Sequence, residues 1–318
     1  MKIAIVLASY NGARYIEDQI RSIQSQSVES WSLFIRDDGS SDDTVARVTA
    51  LLGDNHRIIL VRDNLGTLGP IKNFAELMRL ALEDGADYVF LADQDDVWHP
   101  EKLRIFLDEM GRLERVAGKA LPLLVHSDLE VANSAMETIH PSFMKYTGIS
   151  PDQSALGILL CQNVVTGCAC MVNRALLNLA LPVPQGVLMH DWWLALLASA
   201  CGRIGFIDQA LVRYRQHGGN VIGAESYLNR IKKFIYTPTR WRRNLFVVRQ
   251  SIIQANLLAE HLSSYNVVIQ NSVRELINGY GKLLNVSPLR RPFILMKYKI
   301  HKQPMLSNIL FIMVVMVL

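Results

Sequence analysis

A buried-looking apolar run ends abruptly in clustered carboxylates early in the chain. Tyr88 to Ala92 is followed by Asp-Gln-Asp-Asp, a pattern that predicts a strand delivering charge to a sheet edge. Asp93 and Asp95 are two residues apart, so in extended backbone they point the same way and can share one hard cation. Such a cation could in turn hold a diphosphate. The alternative is an acidic turn that caps the next helix, since Pro100 and Glu101 suit a helix start.

Two other polar runs follow apolar runs in the same way. Lys2 to Ala8 leads into Ser-Tyr-Asn-Gly, and Leu33 to Ile35 leads into the run from Asp37 to Ser41. Segments with helical spacing separate these runs, so the pattern predicts alternating strands and helices and a largely parallel sheet with both faces covered. The loops after successive strands then gather at one edge, where open α/β sheets bind ligands.

The pattern is less regular beyond Trp98. It predicts a helix from Glu101 to Glu114 and a loop-rich insertion over residues 138–160. Further segments are predicted as the strands Leu123 to His126, Cys168 to Val172, Ile204 to Ile207 and Leu211 to Arg215, and as a helix from Leu194 to Cys201 opened by His-Asp-Trp-Trp.

Composition and cysteine usage favour a globular enzyme. The chain has 318 residues, half of them hydrophobic, which is enough for a sizeable core. The apolar start breaks into a polar turn and a charged helix, so we interpret it as a strand rather than a signal peptide and expect a cytosolic protein. Four cysteines lack the spacing of zinc or redox sites and are predicted to be reduced core thiols: Cys161, Cys168, Cys170 and Cys201.

Charge divides the chain into two parts. Residues 1–228 carry 19 Lys and Arg against 27 Asp and Glu, whereas residues 229–302 carry 14 against 2. The two parts therefore suit different partners. We predict a catalytic domain over residues 1–222 and a basic, mainly helical region over residues 223–318.

The last ten residues, Ile309 to Leu318, are all apolar and follow Lys297, Lys299, His301 and Lys302. About 20 residues are needed to span a bilayer, so this segment is too short to do so. The basic flank favours attachment to an anionic membrane surface. A core helix, or the start of a longer hydrophobic segment, are the alternatives.

The polar runs, taken together, resemble those of family 2 glycosyltransferases with the nucleotide-sugar-binding GT-A fold. The resemblance covers about two thirds of the chain, from Lys2 to about Asn220, and each motif is weak alone but strong in this order. The Asp93 to Trp98 run and the Tyr214 to His217 run are most similar to the bacterial rhamnosyltransferase-like branch. The motifs are Ala8 to Asn11, Asp37 to Thr44, Asp93 to Trp98, Thr166 to Cys168, and His190 to Trp193.

The resemblance implies an α/β GT-A fold and inverting transfer of a sugar from a nucleoside diphosphate donor to an acceptor hydroxyl. It implies Mg²⁺ or Mn²⁺ as cofactor, held by Asp95 and Asp93 with His217 as a third contact, which would favour Mn²⁺. The alternatives are a turn or capping role for Asp38, a solvated surface position for Lys72, and a loop position without a ligand role for His217. The implied nucleotide-sugar-binding residues are Ala8, Ser9, Tyr10, Asn11, Asp38, Lys72, Asp93 and Gln94.

Inversion needs a base on the acceptor side, and the resemblance places it at Asp191. His190 stands where the family usually has a Glu, which puts the acceptor contacts of that position in doubt. Trp192, Trp193 and His190 are candidates for acceptor binding, although adjacent helical positions diverge and one indole should be core. Asp191 also suits a helix N-cap.

We expect the donor to be dTDP-L-rhamnose, with UDP-hexoses as the alternative, and the acceptor to be a lipid-linked oligosaccharide of O-antigen or capsule synthesis. The protein would then be peripheral at the inner face of a bacterial membrane. The basic and aromatic residues 230–246 suit a headgroup region better than a nucleic acid, so no nucleic-acid partner is expected. A nucleotidyltransferase is a competing prediction, although its Gly-rich loop after the first strand is missing, and a non-catalytic assembly protein is another.

Overall fold

The first apolar runs become neighbouring parallel strands in the computed structural model of the chain. They are β1 (Ile3–Ser9), β2 (Ser32–Asp37), β3 (Ile58–Leu60) and β4 (Tyr88–Ala92), in the spatial order β3-β2-β1-β4. All three pairings among them are parallel. Every side chain of β4 is buried, as a strand covered on both faces requires. The predicted parallel arrangement is confirmed for these four strands.

The structure describes residues 1–53, 55–150, 155–218, 224–227, 229 and 237–318. They divide into a first unit, Met1–Phe143, Val165–Val183 and Arg203–Gly223, and a second unit, Met144–Val164, Pro184–Gly202 and Ala224–Leu318. The predicted boundary between residues 222 and 223 lies outside the described residues and stays a prediction. Residues 230–236, part of the basic and aromatic segment, also lie outside the described residues.

The first unit contains the whole nine-stranded sheet, whose second half is mixed. Beyond β4 the order continues β8-β6-β9-β5, with β7 paired to β6. β8 is antiparallel to both β4 and β6, whereas β6 and β9 are parallel. The additional strands are β5 (Val97–Trp98), β6 (Leu123–Ala132), β7 (Thr138–His140), β8 (Cys170–Asn173) and β9 (Arg203–Arg215).

Two of these strands are longer than predicted, because polar residues that look like strand ends lie within them. β6 continues past His126 through Asp128, which is buried and accepts a hydrogen bond from Ser142. β9 is one strand rather than two, and its pairing with β6 shifts register between Ile207 and Ala210. The intervening Asp-Gln pair is exposed, as expected for residues bulged out of a ladder.

Amphipathic helices cover the sheet. α1 buries Ile16, Ile20 and Ile23, the predicted helical spacing, and α3 begins with Pro70 at its first position. The helices of this part of the chain are α1 (Ile16–Gln24), α2 (Thr44–Leu52), α3 (Pro70–Glu83) and α4 (Lys102–Ala117), then the short α5 (Phe143–Thr147) and α6 (Leu156–Leu159), then α7 (Arg174–Ala180).

The second unit is helical, as predicted for the C-terminal region. Its remaining helices are α8 (His190–Cys201), α9 (Pro238–Ser264), α10 (Asn271–Gly281), α11 (Arg291–Lys297) and α12 (Met305–Val317). α9 packs against α10 and α12, and the hydroxyls of Ser251 and Tyr280 lie 2.8 Å apart between α9 and α10. No helix among the described residues combines the length and hydropathy needed to cross a bilayer. The four cysteines are free thiols, as predicted.

One titratable side chain on β6 lies in an apolar environment. His126 is fully buried against Phe206, with ring centroids 5.1 Å apart. Neither ring nitrogen has a hydrogen-bond partner among the residues that the structure describes. Burial penalises the charged imidazole and lowers the pKa of His126 from 6.5 to about 4.

We predict that His126→Leu flattens the acid limb of the stability profile. Because the folded-state pKa of His126 is depressed, the unfolded state binds the proton first as pH falls below 6.5, and the folded state loses stability down to pH 4. That loss amounts to about 3 kcal/mol at full burial. Urea unfolding at a series of pH values should show it in the parent and not in the variant. His56→Leu, which removes an exposed imidazole, is the control, and equal acid limbs in parent and His126→Leu would contradict the prediction.

Candidate active site

The carboxyl ends of β1, β2 and β4 meet at one edge of the sheet. Ser9 at the end of β1 lies opposite Asp37 at the end of β2, and Leu7 lies opposite Ala92 at the end of β4. The polar loops that follow these strands are therefore neighbours, and hydrogen bonds join them. This convergence is the one that the parallel-strand pattern predicts.

Gln94 clamps the loop after β1 to the loop after β4. Its Oε1 accepts the backbone N–H of Tyr10 at 2.8 Å, and its Nε2 donates to the backbone carbonyl of Tyr10 at 2.9 Å. A Cβ atom at Gly12 would lie 2.1 Å from Oε1 of Gln94, so only glycine leaves room for this clamp. The Tyr10 side chain is 54% exposed. The clamp thus fixes the backbone of Tyr10 and leaves its ring accessible to a ligand.

Asn11 joins the loop after β1 to the loop after β2. Its backbone N–H donates to Ser40 Oγ at 2.8 Å, and its Oδ1 accepts the backbone N–H of Ser41 at 2.9 Å. Asn11 has a φ of 49°, a left-handed conformation that asparagine tolerates better than most residues. Asp37 closes the second loop by accepting the N–H groups of Gly39 and Ser40. Asn11 therefore shapes the site through the loops that it connects.

A buried arginine, Arg36, organises the loop between β3 and α3. Its guanidinium donates to both oxygens of Asp63, at 2.7 and 3.0 Å, and to Oδ1 of Asp38 at 3.0 Å. The Arg36 hydrogen bonds hold the pKa of Asp63 below its usual range. Asp38 also accepts the N–H groups of Leu68 and Gly69, each at 2.7 Å. Three of the roughly four acceptor positions of the Asp38 carboxylate are thus used, which leaves one on Oδ2.

Three other predicted donor-binding residues lie at the end of β1 and in the first turn of α3. Ser9 is buried and donates its hydroxyl to Asp37 Oδ1 at 3.1 Å, while Ala8 is half-buried in β1. Lys72 is exposed in the first turn of α3, three residues after Gly69. The loop that Asp38 anchors therefore leads directly into the turn that carries Lys72.

Asp95 contacts the predicted third metal ligand. Oδ2 of Asp95 lies 2.7 Å from Nε2 of His217, and the His217 ring packs on Tyr15 with centroids 4.8 Å apart. Asp95 itself is buried, whereas Asp93 is half-buried directly after β4. The structure thus brings the predicted Asp95 and His217 together although 122 residues separate them in the chain.

Arg215 holds in place the loop after β4 that carries Asp93, Asp95 and Asp96, which we call the acidic loop. The sequence analysis assigned Arg215 no role. Its backbone N–H donates to Asp96 Oδ1 at 3.1 Å, and its Nε donates to the carbonyl of Asp95 at 2.8 Å. Its Nη2 donates to Asp18 at 2.8 Å, and its guanidinium stacks on Tyr15, 4.4 Å from the ring centroid. The available signal was an arginine near the end of an apolar strand. Arg36 has the same signal and was missed in the same way.

Asp96 and the side chains packed beneath the acidic loop are buried, so the carboxylates repel one another in an environment of low polarity. Burial raises the pKa of Asp96 well above its usual range, and the negative charges of Asp95 and Asp93 raise it further. Burial also raises the pKa of the Cys168 thiol, which hydrogen-bonds to Asp96. Lys102 is buried as well, and its Nζ donates to the carbonyl of Cys168 at 2.7 Å. Burial lowers the pKa of Lys102 to about 7.

The donor atoms here fit a hard divalent cation. Among the described residues, Asp93, Asp96 and Cys168 each place one potential ligand atom within 4.8 Å of the others. Asp96 Oδ2 is buried and finds no hydrogen-bond partner in the part of the chain described, and a cation would supply the missing positive charge. A protonated Cys168 is a poor ligand for Mg²⁺ or Mn²⁺. The oxygen-rich predicted set of Asp93, Asp95 and His217 suits these ions better.

The predicted base lies in the second unit. Asp191 is buried in the first turn of α8, and its Oδ1 accepts the backbone N–H of Trp192 at 2.6 Å and a side-chain N–H of Asn163 at 3.2 Å. The N-cap position belongs to Met189, so Asp191 lies inside the helix rather than at its cap. A negative carboxylate is favoured in a first turn by the helix dipole.

The three predicted acceptor-binding residues are buried within the same unit. His190, Trp192 and Trp193 are at most 6% exposed. The indole N–H of Trp192 donates to the carbonyl of Leu159 at 2.6 Å, and Trp193 meets His261 edge-on with centroids 5.0 Å apart. Both indoles therefore pack around α8, and a role of His190, Trp192 or Trp193 in acceptor binding stays a prediction.

Known proteins match both the sequence and the fold. Residues 4–144 match the family model described as Glycosyl transferase family 2. The dTDP-rhamnosyl transferase RfbG of Shigella flexneri is 26% identical over 251 residues, which cover 74% of this chain and 81% of RfbG. The UDP-Glc:alpha-D-GlcNAc-diphosphoundecaprenol beta-1,3-glucosyltransferase WfgD of Escherichia coli is 24% identical over 177 residues, 55% of this chain and 62% of WfgD.

The fold has solved relatives. S. aureus TarS 1-349, in complex with UDP-GlcNAc, superposes with a TM-score of 0.55 over 99% of this chain and 90% of TarS, at 15% identity. This likeness concerns the fold alone. The fold is of the GT-A type. Residues 4–144 form a glycosyltransferase family 2 domain, and the similarity to RfbG extends beyond it, which disfavours the nucleotidyltransferase and the non-catalytic assembly protein.

We predict that Gly12→Ala and Gln94→Ala are coupled in their effects on stability. An alanine at position 12 must expel the Gln94 amide and break both hydrogen bonds to Tyr10, which costs about 1–3 kcal/mol. Once Gln94 is shortened, the same alanine has room. Urea unfolding should therefore give a double variant no less stable than Gln94→Ala alone.

Gly111→Ala is the matched control for this cycle. Its added Cβ would meet only Arg115 Nη1, at an ordinary 3.6 Å, and within α4 it should stabilise by up to about 1 kcal/mol. If the two substitutions lower the stability of the double variant by the sum of their separate effects, the Gln94 side chain is not what excludes a side chain at position 12.

Proposed function

We propose that the enzyme transfers a sugar, with inversion, from a nucleoside diphosphate donor to a hydroxyl of a lipid-linked oligosaccharide in bacterial surface polysaccharide (O-antigen or capsule) synthesis. One observation carries the proposal: the loops after β1, β2 and β4 interlock through Tyr10, Gln94 and Asn11 beside the carboxylates of Asp93 and Asp95. Such an edge combines a rigid nucleotide pocket with a place for a diphosphate.

The base and ribose of the donor occupy the pocket between these loops. The remaining acceptor position of Asp38 Oδ2 takes the imide N–H of uracil or thymine, and the exposed ring of Tyr10 stacks on the base. Ser9 and Ala8 form the wall below, and Asn11 keeps the loop in shape. Because Asp38 is fixed by Arg36 and two backbone N–H groups, its free lone pair has one direction, which favours one hydrogen-bonding edge of the base.

The donor diphosphate lies against the acidic loop and Lys72. Asp95, Asp93 and His217 would hold Mg²⁺ or Mn²⁺, and a bound cation would supply positive charge to the departing diphosphate. Gln94 keeps the loop after β1 against these ligands through its bonds to Tyr10. Lys72, exposed on α3, adds a positive charge to the same group.

Asp191 acts as the base. It accepts the proton of the acceptor hydroxyl while that oxygen forms its bond to the anomeric carbon and the bond from carbon to the diphosphate oxygen breaks. Its Oδ1 accepts hydrogen bonds from Trp192 and Asn163, which fix the orientation of the carboxylate. The sugar changes configuration because attack and departure occur on opposite faces.

The relatives support the choice of substrates. RfbG is named a dTDP-rhamnosyl transferase, which favours dTDP-L-rhamnose as donor, with a UDP-hexose as the second choice. WfgD is named for a diphosphoundecaprenol-linked acceptor, which favours a lipid-linked glycan and a peripheral position at the inner face of the cell membrane. The family 2 membership and the carboxylates support a divalent metal.

We predict that a dTDP- or UDP-sugar raises the melting temperature only with Mn²⁺ or Mg²⁺, and that Asp95→Asn abolishes the rise. A ligand at 100 times its Kd stabilises the native state by about 2.7 kcal/mol, and the neutral amide removes a metal ligand and its charge. Thermal-shift panels of donors with and without metal measure this. Asp208→Asn, an exposed residue of β9, is the control and should keep the shift. An undiminished, metal-dependent shift in Asp95→Asn would remove Asp95 from the metal site.

We predict that Asp191→Asn lowers turnover by about 10²–10⁴-fold, the usual contribution of a general base, and leaves the donor-induced thermal shift intact. The amide oxygen can still accept the Trp192 N–H, so α8 should fold. Turnover is followed by the release of nucleoside diphosphate with membrane extract as acceptor source. Full turnover in Asp191→Asn would assign the base elsewhere, and release of pyrophosphate would indicate nucleotidyl transfer instead.

A further inference from the structure

The last two helices of the second unit leave large apolar side chains exposed in two rows. Spacings of three and four residues place each row on one helix face. All six side chains are between 40% and 74% exposed. We call the six residues the terminal apolar surface: Phe293 and Met296 on α11, and Leu306, Ile309, Met313 and Met316 on α12.

The helices that carry these rows are packed parts of the unit. The opposite face of α12 buries Phe311, Val314 and Val315. Arg291 of α11 is buried and donates to the carbonyl of Val315 at 2.8 Å, which ties the start of α11 to the end of α12. The exposed rows are therefore not the loose end of a fraying segment.

An exposed helix face of this composition is unusual for a surface in contact with water. A surface helix normally pairs a buried apolar stripe with a charged outer face, yet α12 contains no charged residue. Scattered exposed apolar side chains need no explanation, but clustered ones mark an interaction surface. The terminal apolar surface is clustered, since α11 and α12 pack against each other.

The charges around the surface are mostly positive. Residues 276–318 contain no Asp or Glu, and the acid Glu275 of α10 interacts electrostatically with Lys297. Arg290 and Lys299 are exposed on either side of α11, Lys297 is exposed at its end, and His301 and Lys302 precede α12. Apolar helix faces bordered mainly by Lys and Arg are complementary to an anionic lipid surface. An acidic protein partner would match the charges but not the breadth of apolar side chains.

α12 presents its exposed row over about 20 Å, at 1.5 Å per residue. A pocket of about 440 Å³, lined in part by His301, Lys302, Met305 and Asn308, adjoins its first turn. An imidazole and an ammonium at this position suit a phosphate headgroup.

We propose that the terminal apolar surface docks on an anionic bilayer, with α11 and α12 in the interfacial plane and the surrounding lysines at the phosphates. This surface would bring the enzyme to a lipid-linked acceptor, so its role in the cell rests on the proposed function. The docking itself needs neither donor nor acceptor.

Vesicle flotation of the full chain, without donor or acceptor, tests the proposal. The probes are phosphatidylcholine vesicles with and without about one third phosphatidylglycerol. We expect the parent to bind the anionic vesicles and to be released at about 1 M NaCl, where the screening length falls to about 3 Å. Ile309→Asn with Met313→Asn should weaken partitioning at least about tenfold, since two buried side chains are lost from the lipid phase.

Lysine substitutions and a matched apolar control separate the electrostatic and hydrophobic contributions to vesicle binding. Lys297→Gln with Lys299→Gln should weaken binding by at least about tenfold, because each lysine near an anionic surface contributes about fivefold. Val268→Asn removes a fully exposed apolar side chain elsewhere in the same unit and should leave binding unchanged. Circular dichroism and the donor-induced thermal shift check that every variant is folded.

Three results would overturn the proposal: a parent that does not bind anionic vesicles, apolar variants that bind like the parent, or a parent dimer that the Ile309 and Met313 substitutions make monomeric without affecting vesicle binding. The last would make the surface a contact between copies of this chain. Vesicle binding in a protein that fails every donor test would keep the docking surface and remove the glycan assignment.

Discussion

The accumulation of negative charge at the end of a buried strand constrains the rest of the first unit. Asp93, Asp95 and Asp96 lie within four residues, and burial of Asp96 makes their mutual repulsion stronger than it would be in water. Arg215 neutralises part of this charge and fixes the loop through Asp95 and Asp96. β9 must run beside β6 and β5 to deliver Arg215, so the mixed half of the sheet serves the acidic loop that the parallel half presents.

The convergence of the site could be predicted because it follows from a local pattern and one topological rule. Each apolar run ends in polar residues, and parallel neighbouring strands end at the same edge. Nothing more is needed to bring Ser9, Asp37 and Asp93 together. The clamp between Gln94 and Tyr10 adds rigidity to an arrangement that the strand order already implies.

The partners of the two buried arginines could not be predicted in the same way. Arg36 and Arg215 are visible in the sequence as charges at strand ends, but their partners are 27 and 120 residues away. A strand pattern fixes which side chains share a face and carries no information on which distant loop will meet them. Polar interruptions such as Asp128 misled the strand boundaries for the same reason, since a buried partner compensates a residue that looks like a strand end.

The second unit sets a different physical problem, because α8 is apolar on all sides. A helix of that kind is buried whatever its function, so the indoles of Trp192 and Trp193 could not be assigned from sequence to packing or to a sugar. Asp191 is distinct because an ionised carboxylate among such neighbours needs support, and Asn163 and the first turn of α8 provide it. The exposed apolar rows of α11 and α12 reverse the argument. Phe311, Val314 and Val315 already occupy the buried face of α12, so the exposed rows lie on a face that the packing of this unit leaves open.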